Sequence, residues 1–143
     1  MLKATWVLAI GAVLAAAPSQ AQIGPRRTCD VVTVSSPDRP KVRERFSATK
    51  TLDLQFRMRV RRPDAEPHML TLRVLTPKGH LYQELRVPYV SDPKHRTAPL
   101  SVNLPLAGTA IATSSLYGRW RVTPYLDESA RPCGAATVFS IVK

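Results

Sequence analysis

The residues of this chain best suited to chemistry are arginines that alternate with apolar residues in three segments. Four arginines share this pattern, and two tyrosines occur in the same segments: Arg73, Arg86, Arg119, Arg121, Tyr82 and Tyr125. Guanidinium groups donate paired hydrogen bonds to carboxylate, sulfate or phosphate, and tyrosine adds a flat surface with a polar tip. We therefore expect an anion-binding surface if the fold brings these residues together.

A second set of arginines, Arg57, Arg59 and Arg61, alternates with apolar residues along one longer segment. It predicts a second basic stripe on the opposite sheet. For both sets the plain alternative is a solvated charged surface that discourages strands from pairing at sheet edges. The sequence leaves that alternative open.

The sequence contains no recognisable catalytic motif. It lacks a G-x-S-x-G elbow, an H-E-x-x-H pair and a Gly-rich phosphate loop. Most carboxylates lie next to basic residues, which favours surface ion pairs over an acid/base dyad. We predict no catalytic residues and no cofactor, and an enzyme is the third of three functional hypotheses.

The three histidines, His68, His80 and His95, lie in or beside predicted turns. Acidic residues that could join them around a metal ion are Asp64, Glu66 and Asp92. Their spacing does not require such a cluster. We interpret the histidines as exposed turn residues and predict no metal site.

Residues 1–21 have the features of a cleaved secretory signal peptide. Lys3 gives a short charged start, an apolar run covers 6–17, and Pro18 precedes a small-residue cleavage pattern at 19–21. The run is shorter than the roughly 20 residues of a membrane-spanning helix. We predict a secreted or periplasmic chain that begins near Gln22, without a transmembrane segment.

Export bears on the only two cysteines, Cys29 and Cys133. In an oxidising compartment an isolated pair more often forms a disulfide than a metal or redox centre, and no C-x-x-C motif is present. We predict a structural disulfide between them.

Charge and length limit the partners. The formal net charge is +11, and loss of Lys3 with the leader reduces it to +10. The predicted domain, 22–143, has room for one modest core. Such a charge favours an acidic protein or an anionic polysaccharide or lipid surface. Nucleic acid is not expected, because no binding motif accompanies the charge and the chain is exported.

Alternation of apolar and polar residues predicts strands throughout this domain. The predicted strands are 31–35, 51–61, 69–75, 81–87, 100–106, 110–115, 120–126 and 137–142. A turn at 76–79 joins two of them as a hairpin, and Leu52 falls on the apolar side of its strand. No helical stripe is present, and the 13 prolines lie mostly in turns.

These strands predict an all-β fold, a two-sheet antiparallel sandwich of about seven strands. The residues expected in its core are Leu54, Phe56, Leu72, Val74, Leu85, Leu104, Trp120 and Val122.

Three short motifs occur in order: T-P-K-G-H-L-Y at 76–82, L-P at 104–105 and Y-G-R-W-R-V at 117–122. Their order resembles immunoglobulin-like sandwiches of the macroglobulin and fibronectin type, and it is also similar to the P-domain jelly roll of some secreted proteases. The resemblance implies a fold with Trp120 as a core anchor, and no activity. In an immunoglobulin-like order the strands near positions 72, 85 and 121 are adjacent, so the four arginines Arg73, Arg86, Arg119 and Arg121 and the tyrosines Tyr82 and Tyr125 would share one outer face.

The resemblance also suggests how the first and last strands meet. Cys29 lies just before the strand 31–35, and Cys133 lies shortly before the strand 137–142. A disulfide holds its Cα atoms within about 4.4–6.8 Å, so both strands would start at one point. We therefore expect these two strands to pair in parallel.

The leading functional hypothesis is an exported, non-catalytic binding or adaptor domain whose basic sheet face holds an acidic protein or envelope polyanion. The alternative is a structural subunit of an extracellular assembly, joined by strand addition at a sheet edge. Salt distinguishes them, because charge-driven binding weakens as ionic strength rises and edge pairing does not.

Overall fold

Two β-sheets pack face to face to form the protein. A computed structural model describes residues 28–61 and 65–143. The predicted signal peptide at 1–21 and Asp64 lie outside the described residues. The elements are β1 (Thr28–Cys29), β2 (Thr33–Ser35), β3 (Arg45–Ser47), β4 (Asp53–Arg61), β5 (Pro67–Leu75), β6 (Leu81–Val90), β7 (Ala98–Pro105), α1 (Ala110–Thr113), β8 (Gly118–Leu126) and β9 (Thr137–Val142).

Period-two alternation governs the long strands, as the sequence predicts. In β4 the apolar residues are buried while Arg57 and Arg59 are exposed. Leu52 is an exception, because β4 begins at Asp53 and the Leu52 side chain is 71% exposed. The Leu52 carbonyl instead accepts the backbone N–H groups of Leu106 and Ala107 at 2.8 and 3.1 Å.

The smaller sheet is built around β4, which pairs with β7 along one side and with β1 and β2 along the other. The larger sheet has the order β3-β9-β8-β5-β6. Neighbouring strands are antiparallel except β3 and β9, which run in parallel. This is the arrangement of an immunoglobulin-like sandwich, the fold class that the sequence predicts.

The predicted parallel pairing of the strands 31–35 and 137–142 is wrong. β2 pairs with β4 in the smaller sheet, and the short strand β3 takes the parallel place beside β9. Between β2 and β3 the chain crosses from one sheet to the other through a segment that contains Pro37 and Pro40. Proline has no N–H to donate to a ladder, which fits a segment that leaves one sheet before joining the next.

The predicted disulfide between Cys29 and Cys133 is present, with a Cα–Cα distance of 5.2 Å. Cys29 belongs to the smaller sheet, and Cys133 lies in the loop that follows β8 of the larger sheet. The backbone N–H of Cys29 donates to the carbonyl of Cys133 at 2.8 Å, and the backbone N–H of Cys133 donates to the carbonyl of Pro124 at 2.9 Å. The bond therefore connects the two sheets rather than two strands of one ladder.

The strand predicted at 110–115 is also wrong, because this segment forms α1. The Thr109 side chain caps the helix by accepting the backbone N–H of Ile111, whose own side chain is fully buried. Only one of the four side chains of α1 is buried, so the segment shows no helical periodicity of apolar residues. Among the described residues no helix has the length and hydropathy to cross a bilayer.

The core centres on Trp120, which is fully buried. Its ring stacks with that of Phe139 at a centroid distance of 6.4 Å, and the Tyr82 ring meets it edge-on at 5.2 Å. The indole N–H donates to the Leu116 carbonyl at 3.0 Å. All eight residues predicted for the core are buried.

Replacing Trp120 with Ala should lower the free energy of unfolding by about 3–5 kcal/mol, because the cavity cannot refill. Denaturant unfolding followed by circular dichroism measures the change. Trp120→Phe is the control, and it should lose less because it keeps an aromatic ring. A loss below about 1 kcal/mol for Trp120→Ala would mean that the core does not depend on this residue.

Removing the disulfide by replacing Cys29 and Cys133 with Ala should destabilise the protein. The bond closes a loop of 104 residues, for which the chain-entropy relation gives about 4–5 kcal/mol at most. The measurement is the unfolding free energy of oxidised protein and of the double variant. Equal stability of the two proteins would show that the bond does not brace the sandwich.

Candidate functional site

The outer face of the larger sheet carries the four predicted arginines. β8, β5 and β6 are adjacent, as expected, and Arg73 lies opposite Thr123 of β8 and Glu84 of β6. We call the outward-facing residues Arg73, Arg86, Arg119, Arg121 and Tyr125 the basic face. The four arginines are exposed and Tyr125 is half-buried.

Tyr82 is not on the basic face, so its predicted place there is wrong. Pairing of β5 with β6 shifts between Val74 opposite Gln83 and Leu75 opposite Leu81, which makes Tyr82 the extra residue of a bulge. Its ring packs on Trp120 in the core. A bulge depends on how two strands pair, so alternation along one strand does not reveal it.

Glu84, which is not among the predicted site residues, neutralises part of the basic face. Arg73 Nε donates to Glu84 Oε1 at 2.9 Å, and Arg86 Nη2 donates to Glu84 Oε2 at 3.3 Å. These hydrogen bonds hold the pKa of the Glu84 carboxyl below its ordinary value, and the bond from Arg73 has the larger effect. The Arg73 guanidinium carbon also lies 4.4 Å from the centre of the Tyr125 ring. Because Glu84 and Arg86 are two residues apart on one strand, alternation could have placed them together.

Arg119 and Arg121 differ from this group. Within the part of the chain that the structure describes, neither guanidinium has a salt bridge or a side-chain hydrogen bond. Both line a shallow cleft of about 300 Å³ whose apolar walls include Leu75, Pro77 and Val138. Their donors are therefore directed to solvent beside an apolar surface, an arrangement that can accept an anionic group carried on an apolar or extended chain.

Arg45 extends this arrangement to the edge of the sheet. It lies opposite Ser140 of β9, and Arg119 lies opposite the same serine from the other side. Arg45 could not be predicted from the sequence, because the three residues of β3 contain one apolar member, Phe46, and do not show alternation.

Arg57, Arg59 and Arg61 lie on the outer face of the smaller sheet, and all three are exposed. Arg57 Nε donates to Gln55 Oε1 at 2.6 Å, and Arg61 Nη2 lies 3.4 Å from Asp30 Oδ1. The protein thus carries a basic stripe on each of its two outer faces.

The interpretation of His68 as exposed is wrong, whereas His80 and His95 are exposed. His68 points inward from β5, is buried beside Tyr89 and has its Nδ1 3.0 Å from Asp127 Oδ2. His95 Nδ1 lies 2.8 Å from Asp92 Oδ2 at the surface. Within residues 28–61 and 65–143, no three His, Cys, Asp or Glu side chains converge as metal ligands would.

Replacing Arg73 with Gln should raise the Glu84 pKa toward its ordinary value of 4.5, because the largest cause of the lowering is removed. An NMR pH titration of the Glu84 carboxyl carbon measures this. A lowered carboxyl pKa stabilises the fold above the ordinary value, and this contribution is lost as the pH falls through the lowered value. Arg59→Gln, on the other sheet, is the control with the same charge change. An unchanged Glu84 midpoint in Arg73→Gln would contradict the assigned hydrogen bond.

Comparisons with known proteins do not assign this chain to a family. No family model matches the chain, and no curated protein matches it. Similar solved structures include an immunoglobulin-like protein from Pseudomonas aeruginosa, with 16% identity, a TM-score of 0.42, and coverage of 83% of this chain and 100% of that one. A CARDB domain from Pyrococcus furiosus, solved with di-metal ions, has 13% identity, a TM-score of 0.44 and coverage of 81% and 87%. A putative beta-galactosidase from Bacteroides fragilis has 11% identity and a TM-score of 0.40, and the match covers 78% of this chain but 17% of that one.

Proposed function

We propose that this protein is an exported, non-catalytic binding or adaptor domain whose basic face holds an acidic protein or an envelope polyanion. One observation carries the proposal: Arg119 and Arg121 stand side by side on a central strand of the larger sheet with no partner among the described residues. Because β8 is paired on both sides, its backbone is already ordered, and binding has only the arginine side chains left to order.

The spacing of these two arginines supports an extended anionic partner. Residues two apart on one face of a strand are separated by about 7 Å. Acidic side chains at alternate positions of an extended peptide have the same separation, and the successive charged groups of a sulfated or phosphorylated polymer are of similar spacing. Arg45, in the same row as Arg119, offers a further contact toward the sheet edge.

The surroundings of the basic face favour binding over catalysis. The carboxylate beside Arg73 and Arg86 is tied to both by hydrogen bonds, and these bonds move its pKa further below neutral pH. A general acid or base would need a pKa near the working pH instead. Export is supported by the disulfide, which is typical of an oxidising compartment, and by the leader-like sequence of residues 1–21.

A second candidate function is assembly by strand addition, and the position of β6 favours it. This ten-residue strand stands at the end of the larger sheet and pairs with β5 along one side. Leu81 and Val90, near its two ends, are exposed, while Pro88 removes one backbone donor. A partner joined there would be held by backbone hydrogen bonds, which salt does not screen strongly.

Replacing both Arg119 and Arg121 with Ser should weaken binding to a heparin-type matrix at low salt by about tenfold, because two charge-assisted contacts are lost. The matched control replaces Arg57 and Arg59 with Ser, which removes the same charge from the smaller sheet. The control should keep most of its affinity. Equal losses of affinity in the two variants would show that net charge, not the basic face, binds the matrix. Binding that resists salt would favour strand addition at β6.

A further inference from the structure

A second group of cations surrounds a cleft at the point where the chain crosses between the sheets. The cleft has a volume of about 270 Å³, and its cationic lining consists of Arg39, Arg43, Arg45 and Lys50. Arg39 and Arg43 come from the crossing segment between β2 and β3. Arg45 comes from β3, and Lys50 comes from the loop before β4. Side chains from separate parts of the chain thus meet at one cavity, which we call the crossing cleft.

The backbone around the crossing cleft is held in place by hydrogen bonds. The N–H of Arg39 donates to the Ser36 carbonyl at 2.9 Å, and the N–H of Arg43 donates to the Val34 carbonyl at 3.0 Å. Thr51 donates to the Ser47 carbonyl at 3.0 Å, which fixes the loop that carries Lys50. Because these contacts already exist, the cleft does not have to order its backbone when a ligand binds.

The charges of the crossing cleft are unbalanced. Four cations face one carboxylate among the lining residues, that of Asp38. Asp38 accepts a hydrogen bond from the Ser36 hydroxyl, and this bond is the first cause of its lowered pKa. None of the four cationic side chains forms a salt bridge or a side-chain hydrogen bond within the described residues. The cleft therefore has a net charge of +3 and unused donors.

We propose that the crossing cleft binds a tetrahedral oxyanion, namely a phosphate or sulfate group. Three guanidiniums and an ammonium supply more donors than the two oxygens of a carboxylate can accept, whereas a tetrahedral anion presents oxygens in several directions. Ser47 and Thr51 add hydroxyl groups to the lining. The inference does not rest on the proposed function, because Arg39, Arg43 and Lys50 lie away from Arg119 and Arg121, and only Arg45 is used in both.

Titration of the purified protein with inorganic phosphate and, separately, with sodium sulfate tests the proposal. Amide chemical shifts are followed at constant ionic strength set with sodium chloride. We expect saturable shifts within 36–51 for at least one of the two anions, and the tighter of the two identifies the natural group. Absence of saturable shifts in this segment for both anions would overturn the proposal.

Variants separate the crossing cleft from net charge and from the basic face. Arg43→Gln should weaken binding of the anion about tenfold. The control Lys41→Gln removes the same charge at an exposed residue outside the lining, and it should change the affinity less than about twofold. Arg39→Gln provides a second test if Arg43→Gln does not fold. Replacing Arg119 and Arg121 with Ser should leave phosphate affinity unchanged. Equal weakening by Arg43→Gln and Lys41→Gln, or loss of the shifts in the Arg119 and Arg121 variant, would contradict the assignment.

Discussion

Successive side chains of a strand point to opposite faces of a sheet, and the rest of this structure depends on that constraint. Burial of Leu72, Val74 and Trp120 fixes the register of β5 and β8, because a slip by one residue would turn the whole apolar set to solvent. The same register commits Arg73 and Arg121 to the outer face. The position of the arginines is therefore a consequence of core packing.

Position alone does not make the four arginines equivalent. Pairing of β5 with β6 brings Glu84 opposite Arg73, so that side of the basic face is partly neutralised. Arg119 and Arg121 have no such neighbour within the described residues, and they lie beside an apolar cleft. Cross-strand pairing thus divides a uniform stripe into a paired part and a part whose donors are free to bind.

Alternation predicts the long strands, the core and the outward phase of the arginines, because each depends on one segment read by itself. Alternation fails where the pairing of neighbouring strands decides which way a side chain points. Tyr82 turns from the basic face toward the core at a bulge. His68 is buried because β5 begins at Pro67, before the strand predicted at 69–75, so His68 belongs to the strand and not to a turn. The three residues of β3 are too few to show a period, so neither the parallel partner of β9 nor the crossing cleft could be predicted. The disulfide was predictable from cysteine count and compartment, but the sheets that it joins were not.

We propose that Arg119 and Arg121 form the anion-binding part of the basic face. The most direct measurement maps amide and guanidinium chemical shifts while a sulfated oligosaccharide is added at low ionic strength, and again at high ionic strength. The account predicts that the largest shifts cluster on β8 around these two residues and vanish as salt screens the charges. Shifts spread equally over the arginines of both sheets, or centred on the β6 edge and insensitive to salt, would contradict it.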